Sequence, residues 1–447
     1  MTAAASADHA PLTLPNGVRV VALPGAAASF SVVVMIEAGA RHEPEHSAGA
    51  AHLLEHLVFA GTPHRPDLTA IADELDSLGC RFNASTDREN TTFHIRGPAE
   101  SLTNAVELLA DLILRTAPSE ERVRRERKIA LSELNTRLDN PRLHVRQLAQ
   151  RALYGDGPLG RDIVGTPASI ALLDRETVLS FRADWYSAER TVVAFAGDIS
   201  PERAGDAVHR HFAALRARAP VAREQMRPHP PRALVAEREV AQAHVVLALP
   251  GPSYRVSERE MLAARMLNSI LAGSMSSRLF VALRERRRLC YTVRSLLEPL
   301  SDVGALSIYV SLSSEDLERA TKLILDELDH LAADGVTEHE LAKARAMTKG
   351  VHALEREDML SRARFAAAET HRRGTPTDTA RLFSLIDGID RKDLAEAASR
   401  YVRRDRACWG VIAPHGSCPA EALALDAVKQ LLPANEQEPV LHVKHQP

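Results

Sequence analysis

The chain has 447 residues, a formal net charge of −3 and a pI near 6.7. This balance gives no electrostatic case for nucleic-acid binding. The length is too great for one ordinary core and predicts two domains of about 200 residues each. The longest apolar run, 26–36, is too short to span a bilayer. The first 25 residues lack the basic and apolar regions of a signal peptide, so we predict a soluble, cytoplasmic protein. The four cysteines show no CxxC spacing, which argues against a thiolate metal site and a disulfide framework: Cys80, Cys290, Cys408 and Cys418.

The predicted elements of the first half are strands followed by grouped helices. Turn residues 15–17 lie between two short apolar runs, which predicts a hairpin of strands 12–14 and 18–22. The remaining predicted elements, in chain order, are a strand over 30–38, a helix from an N-cap at Ser47 to a stop at Gly61, a helix over 71–78, a strand from Asn83 to Ile95, helices over 102–117 and 119–138, further helix to Leu153, and a strand over 191–196. This order predicts an α+β layer with a largely antiparallel sheet.

The helix after Ser47 carries the sequence His52-Leu53-Leu54-Glu55-His56. Two histidines four residues apart lie on one face of a helix, so both imidazoles can bind one metal ion. Imidazole is a preferred ligand of Zn²⁺, and a catalytic zinc site has three protein ligands and leaves a fourth position for water. Glu55 lies near the same face, where its carboxylate can accept a proton from that water. The alternative is a pair of histidines on an amphipathic helix beside a solvated glutamate.

A third ligand is predicted on the charged helix over 119–138, for which Ser119 is the expected N-cap. Glu126 and Glu133 are seven residues apart and therefore lie two turns apart on one face. Glu121 is on the same helix, and spacing alone does not say which of the three carboxylates binds zinc. For each of them the alternative is a solvated charged face.

The motif His-x-x-Glu-His, followed 77 residues after its second histidine by Glu133, resembles the inverted-motif zinc metallopeptidases. This is the family of pitrilysin, insulin-degrading enzyme and the mitochondrial processing peptidase, and the chain resembles a half-length, bacterial-type member. The resemblance implies one Zn²⁺ per chain, bound by His52, His56 and Glu133, with Glu55 as the general base on zinc-bound water. It also implies that Glu126 supports the site without necessarily touching the metal.

Two further segments resemble substrate-binding parts of this family. Residues 81–89 are similar to its strand beside the zinc, whose edge pairs with the substrate backbone. The resemblance implies substrate-binding roles for four residues of this strand: Asn83, Ala84, Ser85 and Thr86. Arg284 and Tyr291 match the family's Arg/Tyr pair, which reaches across a chamber to the substrate and the developing oxyanion. The alternative is a surface ion pair for Arg284 and a core position in a strand for Tyr291.

The chain also contains an internal repeat with an offset of about 215 residues, which makes each half an α+β repeat. The motif aligns with 268–272, and the Glu126/Glu133 helix aligns with 337–350, which has no matching carboxylate pair. One repeat therefore holds the metal and the other has lost it. The predicted parts are a zinc-bearing catalytic domain (8–217), a proline-containing linker (218–232), a homologous second domain with the Arg/Tyr pair (233–433) and a flexible tail (434–447).

The resemblance implies a zinc-dependent endopeptidase that hydrolyses peptides or unfolded segments held as a β-strand in a closed dimer chamber. Each chain would form half of a clam-shaped chamber, and Arg284 and Tyr291 of one copy would complete the site of the other in a homodimer. Two alternatives are the metal-bearing subunit of a heterodimer with a metal-free paralogue, and a non-catalytic architectural subunit. The intact motif argues against the second. We expect neither nucleic acid nor a membrane as a partner.

Overall fold

The computed structural model describes residues 10–218, 225–415 and 440–442. They divide into two compact units. The described part of the first unit is 10–135, 161–218 and 352–381, and that of the second is 136–160, 225–351, 382–415 and 440–442. The units are therefore not the contiguous domains predicted from the repeat, because each includes a segment from the other half of the chain.

Six strands form the sheet of the first unit: β1 (Leu12–Thr13), β2 (Arg19–Pro24), β3 (Ser29–Ile36), β4 (Arg81–Thr86), β5 (Thr91–Pro98) and β6 (Thr191–Gly197). Their order is β1-β2-β6-β3-β5-β4. β2 is parallel to β6, and the other neighbours are antiparallel. The hairpin predicted around residues 15–17 is confirmed by the pairing of β1 with β2.

The strand predicted from Asn83 to Ile95 is wrong, because it is a hairpin of β4 and β5. The Asp87 Oδ1 atom accepts hydrogen bonds from the N–H groups of Glu89 and Asn90, both at 2.7 Å, and so closes a turn. A side chain that bonds the backbone two residues ahead favours a turn over a continuous strand. This turn makes β4 the edge strand of the sheet.

The α-helices of the described residues are α1 (Ala50–Leu57), α2 (Leu68–Ser77), α3 (Leu102–Arg115), α4 (Glu120–Asp139), α5 (Pro141–Tyr154), α6 (Pro167–Leu172), α7 (Arg175–Trp185), α8 (Pro201–Phe212), α9 (Glu258–Ala272), α10 (Leu317–Asp334), α11 (Glu338–Glu355), α12 (Met359–Arg373), α13 (Thr379–Gly388) and α14 (Arg391–Tyr401). None of the described helices is both long and apolar enough to cross a bilayer. In the first unit, α1, α3, α7 and α8 contribute to one core that includes Phe93 and Phe195. On the other face of this sheet, α12 packs Ala363 and Ala367 against Val33.

The second unit has an equivalent sheet: β7 (Ala233–Arg238), β8 (Ala243–Pro250), β9 (Cys290–Pro299), β10 (Gly304–Leu312), β11 (Cys408–Pro414) and β12 (Val440–His442). Its order is β12-β7-β11-β8-β10-β9, in which the last five strands repeat the order β2-β6-β3-β5-β4 of the first sheet, with β9 in the place of β4. The sixth strand differs, because β1 is antiparallel to β2 whereas β12, from the end of the chain, is parallel to β7. One face is covered by α5, which approaches so closely that a Cβ at Gly410 would lie 2.5 Å from the Val145 carbonyl oxygen.

The linker and the tail predicted from the sequence are only partly described. Residues 219–224 of the linker lie outside the described residues, as do 434–439 and 443–447 of the tail. Within the tail, Val440–His442 form β12, which pairs in parallel with β7. The expected fraying therefore does not extend to these three residues.

Candidate metal centre

α1 presents the two histidines and begins at Ala50, later than the predicted N-cap at Ser47. A 3-10 turn over Glu45–Ser47 intervenes, and the Ser47 hydroxyl donates to the Pro44 carbonyl instead of capping α1. Gly49 is the N-cap, with a φ of +95°, a left-handed conformation that favours glycine.

The first turn of α1 is bonded to a carboxylate that precedes the helix. Glu43 Oε2 accepts a hydrogen bond from the Gly49 N–H (2.8 Å), and its Oε1 accepts one from the Ala51 N–H (2.7 Å). Burial raises the pKa of Glu43 to about 8, whereas these two bonds and the charge of Arg161 act in the opposite direction. Glu43 was missed in the sequence, since no spacing rule links an isolated acid to a helix that begins seven residues later.

The structure brings the three predicted metal ligands together. The Glu133 Oε2 atom lies 3.6 Å from the Nε2 atoms of both His52 and His56. Possible ligand atoms of the three residues all lie within 4.8 Å of one another, and no other such group occurs in the part of the chain that the structure describes. Ser119 caps α4 as predicted, because its hydroxyl oxygen accepts the Arg122 N–H (3.2 Å).

The chemistry and spacing of this group fit Zn²⁺. Tetrahedral bonds of about 2.0–2.1 Å would place the ligand atoms roughly 3.3–3.4 Å apart, close to the 3.6 Å separations between Glu133 and the two imidazoles. Two imidazoles and one carboxylate are a known ligand set for catalytic zinc, with one position left open.

Glu126 lies behind His56 rather than among the ligand atoms. Its Oε2 atom is 3.4 Å from His56 Nδ1, and its Oε1 atom is 3.0 Å from Nη2 of Arg122. A carboxylate on the second imidazole nitrogen fixes the tautomer and orientation of a metal-binding histidine. Burial lowers the pKa of His56, but the Glu126 hydrogen bond and the charges of Glu133, Glu126 and Glu55 together raise it. Arg122 was not predicted as part of the site, although its i, i+4 spacing from Glu126 is a usable signal.

Glu55 is joined to the edge strand by a short hydrogen bond. The Thr86 hydroxyl donates to Glu55 Oε2 at 2.6 Å. Burial raises the pKa of Glu55, whereas the Thr86 hydrogen bond and the charge of His56 lower it. A raised pKa is favourable for a general base that works near neutral pH.

The four residues predicted to bind substrate lie on β4, at the edge of the sheet. One row of its backbone groups has no strand partner among the described residues. Asn83 and Ser85 are exposed, while Ala84 and Thr86 on the other face are half-buried. An open edge of this kind can accept an added strand.

Arg284 and Tyr291 lie together in the second unit. Arg284 lies near the end of a π-helical segment, Phe280–Glu285. Its Cζ atom is 4.9 Å from the ring centroids of both Phe280 and Tyr291. Tyr291 is the second residue of the edge strand β9 and is 74% exposed, so the alternative of a core position is wrong. The Glu285 carboxylate lies 4.0 Å from the Nε atom of Arg284, which is a weak basis for a surface ion pair.

Comparison with protein families gives two matches along the chain. Residues 20–167 match the model described as "Insulinase (Peptidase family M16)", and residues 173–348 match "Peptidase M16 inactive domain". The first match contains His52, His56 and Glu133. The second covers most of the repeat that lacks the metal-binding residues.

Relatives and solved structures agree with these matches. An uncharacterized zinc protease from Mycobacterium tuberculosis is 34% identical over 412 residues, covering 91% of this chain and 93% of the relative. One from Bacillus subtilis is 31% identical, covering 76% and 82%. A protease from Helicobacter pylori has a similar fold, with a TM-score of 0.83 at 22% identity, covering 91% of this chain and all of that one. A structure from Pseudomonas fluorescens, described as a peptidase M16 inactive domain, has a TM-score of 0.82 at 22% identity over 91% and 98%. The chain therefore belongs to the insulinase family of peptidases, family M16.

Proposed function

We propose that the chain is a zinc-dependent endopeptidase that cleaves peptides or unfolded segments bound as a β-strand. The observation that carries this proposal is the convergence of His52, His56 and Glu133, with Glu55 next to them and hydrogen-bonded to the edge strand. Family membership and the names of the relatives support it. A zinc ion bound by these three residues would polarise the scissile carbonyl and acidify a water molecule.

Glu55 acts as the general base in this proposal. Its carboxylate accepts a proton from the water whose oxygen attacks the carbonyl carbon. It then delivers that proton to the amide nitrogen as the C–N bond breaks, so that an acid and an amine leave. The 2.6 Å bond from Thr86 holds Glu55 Oε2, which restricts the carboxylate to one orientation.

The edge strand β4 binds the substrate in this proposal. An extended peptide would pair with the open row of backbone groups of residues 83–86, and Thr86 would place it beside Glu55. An unfolded segment offers its whole backbone for this pairing, whereas most backbone groups of a folded protein are already bonded. We therefore expect selection for unstructured substrates.

We further propose that Arg284 and Tyr291 of a second copy bind the carbonyl or the oxyanion, which makes the working enzyme a homodimer. The exposed Tyr291 ring and the guanidinium stacked on it offer hydrogen-bond donors to solvent. Donors aimed at a developing negative charge lower the barrier to amide hydrolysis. A heterodimer with a metal-free paralogue would supply the same groups from another chain.

The test is hydrolysis of an unfolded protein, such as reduced casein, and of a quenched fluorogenic peptide by the purified chain. We expect cleavage that stops when zinc is removed by a chelator and returns when zinc is restored. A stably folded protein of similar size is the control and should remain intact. Equal cleavage by the chelator-treated chain would contradict the zinc mechanism, and efficient cleavage of the folded control would contradict strand binding. Size-exclusion chromatography of the active fraction distinguishes a homodimer from a chain that needs another partner.

A further inference from the structure

Glu43 is a buried carboxylate in the first unit, and the mechanism proposed above does not use it. It is 3% exposed, and both of its carboxylate oxygens are bonded to backbone N–H groups at the start of α1. The first four N–H groups of a helix have no partner within the helix, and an acceptor there stabilises the end.

The length of α1 makes this anchor important. α1 has eight residues, and a helix this short is not stable on its own in water. His52 is its third residue and directly follows Ala51, whose N–H is bound by Glu43. A displacement of the first turn therefore moves His52 relative to Glu133, which lies on another helix.

The segment that carries Glu43 is itself held by residues 161–165. Arg161 Nη2 donates to the Glu43 carbonyl oxygen at 2.9 Å. A Cβ at Gly49 would lie 2.3 Å from the Val164 carbonyl oxygen, and one at Gly165 would lie 2.5 Å from the Ala48 carbonyl oxygen. Two glycines with positive φ thus allow the chain to pack closely against the start of α1.

We propose that Glu43 is a positioning residue for the metal centre: by bonding the Gly49 and Ala51 N–H groups, it sets where α1 begins and so where His52 and Glu55 lie. Only its effect on turnover rests on the proposed function. Its effect on the helix and on the metal site does not.

The test is Glu43→Gln, which keeps the size of the side chain. Its amide has one acceptor oxygen, so one of the two N–H groups faces an NH₂ group instead. We expect zinc affinity to fall by about 10- to 100-fold, the usual range when a group that orients a metal ligand is lost. In the metal-free protein, the amides of 50–57 should exchange with deuterium faster than in the wild type. In the zinc-loaded protein, kcat should fall while KM stays within about twofold, because misplacement affects the reacting groups more than the binding strand.

Two matched substitutions separate positioning from general stability. Glu45→Gln changes an exposed acid two residues away and should alter none of these quantities. Glu369→Gln changes another buried acid of the first unit, which accepts the Thr377 hydroxyl hydrogen bond at 2.9 Å. It should lower the melting temperature but leave zinc affinity and α1 exchange unchanged.

A Glu43→Gln protein whose zinc affinity and α1 exchange match the wild type would overturn the proposal, as would equal losses in Glu369→Gln. If Glu43→Gln does not fold, Glu43→Asp is measured instead. Its carboxylate is one methylene shorter and cannot reach both N–H groups, so a smaller loss in the same direction is expected, and no loss would overturn the proposal. Because zinc affinity and exchange do not depend on catalysis, a wild type without peptidase activity would refute the proposed function and leave this test intact.

Discussion

The two sheets share the order of five strands, but their metal chemistry differs. In the first unit, α1 places His52 and His56 against Glu133. In the second, the residues aligned with the motif are 268–272 at the end of α9, where Leu271 and Ala272 are buried in the hydrophobic core. No group of possible metal ligands occurs among the described residues of the second unit.

A sheet of this kind therefore folds without a metal site of its own. Apolar burial and the strand ladders are present in both units and supply the main driving force for folding. The metal centre instead needs a short helix with a buried carboxylate at its N-terminus, a second helix with acids two turns apart, and an edge strand beside the base. The second unit keeps the edge strand, β9, which carries Tyr291, and Arg284 lies over the ring of that tyrosine.

The largest expected effect is that of Glu55→Gln in the first unit. The amide preserves shape but cannot accept a proton, so we expect activity to fall by at least about 10²–10⁴-fold, the usual contribution of a general base. Zinc content should remain at one ion per chain, as measured by elemental analysis of the purified protein. Substantial hydrolysis by the zinc-loaded variant would remove Glu55 from the role of base.

Metal binding itself should be confined to the first unit. The double substitution His52→Ala and His56→Ala removes two of the three ligands, so we expect the bound zinc to be lost and activity with it. Zinc measured after dialysis against a weak chelator checks this. One zinc per chain retained in the double variant would show that the ion binds elsewhere.

A complementation experiment tests whether the first unit of one copy and the second unit of another copy form one active site. Glu55→Gln and Tyr291→Phe chains should each be inactive, whereas a mixed dimer that shares sites between chains has one site with both defects and one with neither. Activity should therefore return to as much as about half per mixed dimer. Subunit exchange is verified with differently tagged chains, and exchange without recovered activity would mean that Tyr291 acts within its own chain or not at all.

Glu126→Gln should have a smaller effect than the loss of a ligand. The carboxylate at His56 Nδ1 is removed while the three ligands remain, so we expect zinc affinity to fall by about 10- to 100-fold. Competition with a chromogenic chelator measures this. Glu121→Gln, on the exposed part of the same helix, is the control and should bind zinc like the wild type.

The smallest expected effect lies in the second unit. Arg278 bonds both carboxylate oxygens of Glu340, at 2.7 and 2.9 Å, and this hydrogen-bonded pair lowers the pKa of Glu340 to about 2. Because the folded-state pKa is depressed below the ordinary value of about 4.5, the stabilisation is complete above that value and is lost as the pH falls towards 2. The melting temperature of Glu340→Gln should therefore lie below that of the wild type at pH 7, and the two should converge between pH 4.5 and 2. A difference that does not depend on pH would contradict the ion pair.

Much of the metal centre was predictable because its signals are local. The i, i+4 spacing of His52 and His56 and the heptad spacing of Glu126 and Glu133 are read along single helices. Which acid faces the imidazoles is not local, since it depends on how α4 packs against α1. Spacing left Glu121, Glu126 and Glu133 open, and only the resemblance to a known family selected among them.

By itself, the sequence determined the two repeats, the α+β class, most helix and strand positions and the identity of the metal-binding motif. These follow from hydrophobic period, turn residues and spacing, which act over a few residues. The tertiary structure decided the rest. Helix α5 of the first repeat belongs to the second unit, and helix α12 of the second repeat belongs to the first unit. Residues 83–95 form a hairpin with β4 at the edge, and Glu43 accepts hydrogen bonds at the start of α1. Each of these depends on which distant groups meet once the core is packed. The free energy of such contacts comes from burial and hydrogen bonding between segments, and no local pattern contains it.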